Sequence, residues 1–477
     1  MGSNQQKGFV ILGSNKGTTL LKDFLRYVAA TMASLLVYSL YAMVDGFMVS
    51  YGVGEYAMSA VNLTLPYTNL LFAIGVMFAV GASTIIAIYK ANDQLSKANQ
   101  LFSQNLLLLL FIGLTISVLV FLFEEPIGRM LGANAITREY VRQYLLGLAP
   151  FACCYMMSYH MEVLIKVDGY PQLSLLNVVI GAVANCVLDY IAIFHLGLGV
   201  LGAAVATGLS QLLVCVLFLR HFVGGHNTFH LSRFRFDWRV YRRLLPIGVS
   251  DASIELCSGA MVLLFNRTLL RYVGQDGVVS YTVIAYVNTL LTNLMVGVAQ
   301  GTQPLLSFSY GKRARAECHR LLRYGLVTVA VLSAASFAGL YLFAPQVVGV
   351  YLTSATPQLL QDSIRAFRSY APAFGLMGFN IFAAGYLTAQ ERSRCAIFVS
   401  VGRGFVVQGA ALLVIAAVFG GGAIWRAPVL SEVLCLVLSG FFLRQYLRDR
   451  QQWLSPSGIA QNNSQEDPKH GNSSGII

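Results

Sequence analysis

Charged residues are scarce in this sequence: Asp, Glu, Lys and Arg make up 11% of 477 residues, against about 25% in soluble domains. With 56% hydrophobic residues as well, the chain has too little polar surface to cover one or several soluble domains. Its mean hydropathy of +0.64 indicates an integral membrane protein. Enzyme signatures are missing too: there is no H-E-x-x-H, no P-loop and no paired His and Asp set. A membrane enzyme is therefore the weakest of the functional classes, and no cofactor is expected. The eight cysteines stand singly or as the pair Cys153 and Cys154, without C-x-x-C or metal spacing. They read as reduced structural thiols. His221, His226 and His230 fit no zinc motif, so a metal site is not expected. The first twenty residues contain no apolar run, so no secretory leader is expected and the N-terminus should stay in the cytoplasm.

What the chain does have is apolar length. A span needs about 20 apolar residues, and twelve segments qualify: 24–50, 57–89, 98–123, 140–165, 172–195, 200–221, 243–272, 278–309, 319–343, 366–389, 395–419 and 423–446. An even number puts both ends on one side. Most of the 33 Lys and Arg fall on that side, chiefly Arg233, Arg235, Arg239, Arg242 and Arg243, then Lys312, Arg313, Arg315, Arg320 and Arg323. By the positive-inside rule both termini are cytoplasmic. The net charge of +12 therefore follows the membrane and implies no nucleic-acid partner.

The sequence also repeats at an offset of about 220. Gly54 pairs with Gly274 (274 − 54 = 220), Gly81 with Gly301, Ala91 with Gly311, and Gly202-Ala203 with Gly422-Ala423. Six helices per copy keep the copies parallel, so a pseudo-two-fold along the membrane normal is expected, with substrate between two six-helix bundles. The divisions that follow are an N-terminal segment at 1–22, a first bundle at 23–221, a linker at 222–240, a second bundle at 241–447 and a disordered tail at 448–477.

The stretch from Leu176 to Gln211 carries the clearest chemistry. Asn185 and Asp189 are four apart on one helical face within a span. An Asp there costs roughly 2.5–3.5 kcal/mol on insertion scales, so it must face protein or water. The glycines at 197, 199 and 202 spell a dinucleotide fingerprint, but they follow an apolar helix and lack the acidic residue further on, so they make a turn. Asp45, in Val44-Asp45-Gly46-Phe47-Met48-Val49, is a second carboxylate within a span.

The Asn185/Asp189 spacing, the G-L-G-V-x-G-A-A hairpin followed by Ala206-Thr207, and the V-D-x-x-x-V of the first span together resemble the multidrug and toxic compound extrusion (MATE) transporters, bacterial type. That family lies in the multidrug/oligosaccharidyl-lipid/polysaccharide flippase superfamily. The resemblance covers nearly all twelve spans. It implies that Asp45, Asn185, Asp189 and Thr207 form an amino-half cation or proton site. It also makes Glu255 a candidate cation or substrate ligand. Where other branches carry a helix-ten carboxylate this chain has Asn380, which weakens a carboxyl-half sodium site.

Arg403 and Glu432 are the remaining charges deep in spans, and such charges usually pair. Arg403 is also a weaker substrate candidate. The expected function is a monomeric, cation-coupled antiporter of the cell membrane, with H+ favoured over Na+ as the coupling ion. Its cargo would be amphipathic, often cationic, organic molecules, exported by alternating access. A lipid-linked precursor flippase is the runner-up, but polyanionic headgroups would want several cationic groups, and Arg403 is essentially the one on offer.

Overall fold

In a computed structural model, which describes residues 18–452 apart from 134, 225–226 and 353–355, every apolar run becomes a helix. No strand occurs among the described residues. The first half comprises α1 (Thr18–Gly52), α2 (Glu55–Ala91), α3 (Leu95–Met130), α4 (Arg138–Leu148), α5 (Ala152–Asp168), α6 (Pro171–Tyr190) and α7 (Gly199–Val223). Short 3-10 geometry at Ala149–Phe151 joins α4 to α5 as one span, where Pro150 supplies no N–H. A π-helical segment, Ile191–His195, extends α6.

The second half comprises α8 (Trp238–Tyr272), α9 (Gln275–Gly311), α10 (Arg315–Leu342), α11 (Ala344–Tyr351), α12 (Pro357–Thr388), α13 (Ser393–Val401), α14 (Val407–Phe419) and α15 (Ala427–Gln452). Here too a π-helical segment, Gly402–Val406, interrupts a span, joining α13 to α14. Counting joined segments once, each half has six long helices, twelve in all-α, two-bundle arrangement.

Eleven of the twelve are long and apolar enough to cross a membrane by composition. The twelfth, α12, is 32 residues long but carries Arg365, Arg368 and Asn380. It packs among α9, α10 and α15 with its second half buried, so it needs less lipid-compatible surface. It also starts earlier than the 366 expected, because Thr356 caps it by accepting from Leu359 N at 3.3 Å and Pro357 holds the first turn. The short α11 has no counterpart among the expected spans, being only 8 residues long.

Several boundaries shift. α1 starts inside the expected 1–22 segment, α7 and α8 shorten the linker to the residues after Val223 and before Trp238, and α15 continues to Gln452 into the expected tail. Residues 1–17 and 453–477 lie outside the described residues.

The backbone repeats as the sequence does. Gly54 and Gly274 both turn through positive φ, at 123° and 92°, and non-glycine Asp93 and Arg313 (313 − 93 = 220) both sit near φ 57°, at 58° and 56°. Left-handed non-glycine residues are uncommon enough that their recurrence at the same offset marks two copies of one unit.

The halves meet at the end that carries the termini. A Cβ placed on Gly248 of α8 would lie 1.8 Å from the Met77 carbonyl oxygen of α2, and one on Gly297 of α9 would lie 2.7 Å from Met32 Cα of α1. Only glycine allows backbones this close. Asn293 Nδ2 donates to Ser39 Oγ at 2.7 Å and Tyr241 OH to Asn105 Oδ1 at 2.8 Å across the same region. The first turns of α1 even join the other half's core: Phe24, Tyr27 and Val28 pack with second-half residues, while Tyr241, Leu244 and Ile247 of α8 pack with the first half. Past Ser39, Leu40, Met43, Phe47 and Tyr51 of α1 are exposed.

Residues after Val223 form a strap on the first half. Thr228 N donates to Asp168 Oδ1 at 2.9 Å, His230 N to Asn99 Oδ1 at 3.2 Å, and Ser232 N to Ser103 Oγ at 2.8 Å. Phe229 is buried beneath it.

Candidate functional site

Four of the sequence candidates converge inside the first half. α1 supplies Asp45, the end of α6 supplies Asn185 and Asp189, and α7 supplies Thr207. Asp189, Asn185 and Thr207 are buried and Asp45 half-buried. The Asp45 and Asp189 carboxyls lie within hydrogen-bonding reach of each other. Asn185 Nδ2 reaches Thr207 Oγ1 at 3.5 Å, the outer limit of such a bond. The spacing of four on α6 sets Asn185 and Asp189 one above the other, and α6 packs directly on α1 and α7.

The electrostatics of this cluster are one-sided. Both oxygens of Asp189, Oδ1 of Asp45 and Oδ1 of Asn185 are shielded from solvent and accept no hydrogen bond from any described residue. Two facing carboxylates can bond each other only if one holds a proton, since an ionised carboxylate accepts and does not donate. Burial without a partner is costly for a charge, so the cluster calls for a proton or a small cation. Its chemistry as a donor set is all oxygen: two carboxylates, an amide and a hydroxyl. Among the described residues no group of three or more His, Cys, Asp or Glu could hold a metal ion.

Three tyrosines that sequence reading missed surround the acids. Tyr144 lies beside Thr207 and both acids, and Tyr41 and Tyr155 lie beside each other and Asp45. Nothing in the apolar pattern singles out which of 24 tyrosines turn inward.

Glu255 sits elsewhere, on α8, half-buried, with its carboxylate towards Tyr155 and Tyr159 of α5. One turn before it, Asp251 accepts from Gln303 Nε2 at 3.0 Å. Asp251 is buried at 6% exposure although it lies near the start of the span.

Asn380 and Arg403 come together, but on Glu432 and far from the acid cluster. Arg403 Nε donates to Glu432 Oε1 at 2.9 Å, and Asn380 Nδ2 donates to Glu432 Oε2 at 2.7 Å. Asn380 therefore serves a carboxylate of its own half and does not stand in for a missing one near Glu255.

A buried pair escaped notice: Lys166 Nζ bonds Glu162 Oε1 at 2.9 Å, with side chains 5% and 1% exposed. The signal is present as an i, i+4 Glu and Lys, but the fourth span expected from apolar length ends at 165 and leaves Lys166 just outside it. His221 pairs with Asp168 at 2.8 Å and His230 with Asn99, while His226 lies outside the described residues. The glycines at 197 and 199 turn through φ 65° and 56° between two spans.

Comparison with known proteins gives one answer. Residues 30–191 and, separately, 249–410 match the MatE family, and the second match begins 219 residues after the first (249 − 30). The chain is 23% identical over 439 residues to a multidrug export protein MepA of Staphylococcus haemolyticus, covering 91% of this chain and 95% of the relative. It is 22% identical over 438 residues to a MepA of Staphylococcus aureus strain NCTC 8325, covering 90% and 95%. Among solved structures, an outward-facing multidrug resistance MATE transporter of the MOP superfamily superposes with a TM-score of 0.86 at 22% identity, over 92% of this chain and all of the other. A MATE crystallised with MaL6 superposes equally well, at 0.86 and 23% identity over 92% of this chain.

Proposed function

The chain belongs to the MatE family, and on that premise we propose that it is a cation-coupled antiporter, exporting amphipathic organic compounds across the cell membrane with both termini in the cytoplasm. The observation that carries the coupling is the acid cluster: buried acceptors of Asp45, Asp189 and Asn185 without a protein donor, enclosed by α1, α6 and α7. The ion that satisfies them is cargo of the cycle. H+ is the favoured ion because one proton shared between Asp45 and Asp189 supplies the missing donor with no rearrangement of ligands. Na+ remains the competing ion of the same site.

The mechanism follows from which half of α1 is held. At and below Ser39 the helix is held in the contact between halves; above it, α1 exposes Leu40, Met43, Phe47 and Tyr51 and bears Asp45. Loading the acids from the open side removes their repulsion and lets the upper part of α1 repack against α6, which expels substrate from the cleft. Separation of the halves at the terminus end then releases the ion inward. The coupling requires only that the loaded and unloaded acids favour different conformations. Glu255, beside Tyr155 and Tyr159 of α5, is the group that would favour cationic cargo.

The test is transport by the full chain in sealed vesicles under an imposed proton gradient and, separately, a sodium gradient. Dye movement driven by the proton gradient alone supports the reading. Movement driven by sodium alone reassigns the ion, and movement indifferent to either removes the antiport.

A further inference from the structure

The strap that joins the two halves carries more positive charge than its own contacts use. From Gly224 to Arg243 the chain holds Arg233, Arg235, Arg239, Arg242 and Arg243 against one acidic residue, Asp237. Asp237 is occupied as a helix cap, its Oδ1 accepting from Arg239 N at 2.9 Å. Arg243 pairs with Glu391. The guanidinium groups of the other four make no ion pair with any described residue, and all four residues are exposed.

Aromatic rings alternate with these arginines. Phe236 and Trp238 are 53% and 57% exposed, yet they are held in place. Phe236 stacks on Tyr241 with ring centres 5.5 Å apart and planes at 9°, and Trp238 lies 5.9 Å from Phe236 and 5.6 Å from Tyr241. Tyr241 is buried, and its OH donates to Asn105 of α3. Just before the stack, His230 N and Ser232 N are fixed on Asn99 and Ser103 of the same helix. The height of this platform on α3 identifies its surroundings. Asn105 is the last residue before the run 106–123, which is apolar apart from Thr115 and Ser117 and long enough for most of the hydrocarbon core. Leu107, Leu110, Phe111 and Leu114 of that run are exposed, as lipid-facing residues are. The platform therefore stands where hydrocarbon gives way to headgroups, the level at which Trp and Tyr concentrate.

We propose that the strap is a binding site for an anionic glycerophospholipid, its phosphate against Arg235 and Arg239 and its glycerol and upper acyl chain against the Phe236 and Trp238 platform. Arginine presents paired N–H donors that match a phosphate, and basic clusters beside a span recruit anionic headgroups. The aromatic faces cover the uncharged part of the lipid while tolerating water at their edge. A zwitterionic lipid offers the same phosphate but brings its own cation towards the arginines, so net charge discriminates between the two. Because the strap leads from α7 into α8, a lipid held there anchors the joint between the halves. The site is separate from the acid cluster and does not depend on which ion drives transport.

The test uses Trp238 as its own reporter. The purified full chain is placed in phosphatidylcholine vesicles that contain a small, equal fraction of either brominated phosphatidylglycerol or brominated phosphatidylcholine. Bromine quenches an indole that it touches, and the part of the quenching that disappears in Trp238→Phe belongs to Trp238. Quenching by the anionic lipid is expected to exceed that by the zwitterionic one about threefold or more, because the arginines concentrate it beside the ring. Arg235→Gln with Arg239→Gln should remove that preference, while Arg271→Gln, an exposed arginine in the last turn of α8, should leave it intact. If the double variant does not fold, Arg235→Gln alone, placed before the helix begins, should still lower the preference by about half. Excess inorganic phosphate should not displace the lipid. Equal quenching by both lipids, quenching by neither, a preference that survives loss of the strap arginines or falls equally in Arg271→Gln, or displacement by inorganic phosphate overturns the proposal.

Discussion

The hydroxyl of Tyr38 donates to Glu162 Oε2 at 2.9 Å, tying α1 to α5 two turns below Asp45, and the same carboxylate takes Lys166 on its other oxygen. The link crosses from the helix that bears Asp45 to a buried ion pair at the level where the halves meet. Tyr38→Phe removes the donor and leaves the ring in place. It should lower stability by roughly 1.5–3 kcal/mol, the range for a hydrogen bond to a charged group, read as a fall in thermal unfolding temperature of the purified protein. An unchanged unfolding temperature would mean the bond is not formed.

Asp45→Asn and Asp189→Asn are each expected to express and fold but abolish gradient-driven efflux, because an amide keeps size and hydrogen bonding while losing the exchangeable proton site. The alternative, that Asp189 merely ties α6 to its neighbours, predicts that Asp189→Asn retains most activity. Vesicle transport separates the two.

Glu255→Gln should raise cellular accumulation of cationic dyes more than of neutral ones, since it removes a negative charge beside Tyr155 and Tyr159 without removing the side chain. Equal accumulation of both classes would leave Glu255 a packing residue.

Gly248 touches the Met77 backbone so closely that a Cβ there would fall 1.8 Å from its carbonyl oxygen. Gly248→Ala should therefore force α8 and α2 apart at the terminus end. The expected outcome is a several-fold loss of transport together with faster labelling of a cysteine placed at Ala252, buried in the closed contact. Normal transport with no gain in labelling would show that the contact relaxes freely.

Topology is checked by cysteines at two exposed positions, Arg235 in the strap and Asp276 at the start of α9. The first should be labelled only from the cytoplasm and the second only from outside. Labelling of both from one side would remove the proposed orientation.

The grouping of Asp45 with Asn185, Asp189 and Thr207 was implied by the family resemblance, whereas all twelve spans, the parallel repeat and the shared face of Asn185 and Asp189 were legible in the sequence itself. Each rests on a local or strictly periodic signal: apolar length against bilayer thickness, glycine where a turn needs positive φ, a carboxylate where lipid forbids one, and a spacing of four that fixes a shared face. The sequence also showed that Arg403 and Glu432 needed partners. Only the tertiary structure decided that they choose each other, that Asn380 joins them, and that Asp251 is held by Gln303. It also decided that Glu162 pairs with Lys166 beneath Tyr38, and that α1 and α8 each lend their first turns to the other half. The reason is that helices apolar on nearly every side carry little record of which face meets which neighbour. Close backbone approach at Gly248 and Gly297, and the inward turn of Tyr41, Tyr144 and Tyr155, arise only when twelve such helices choose one packing.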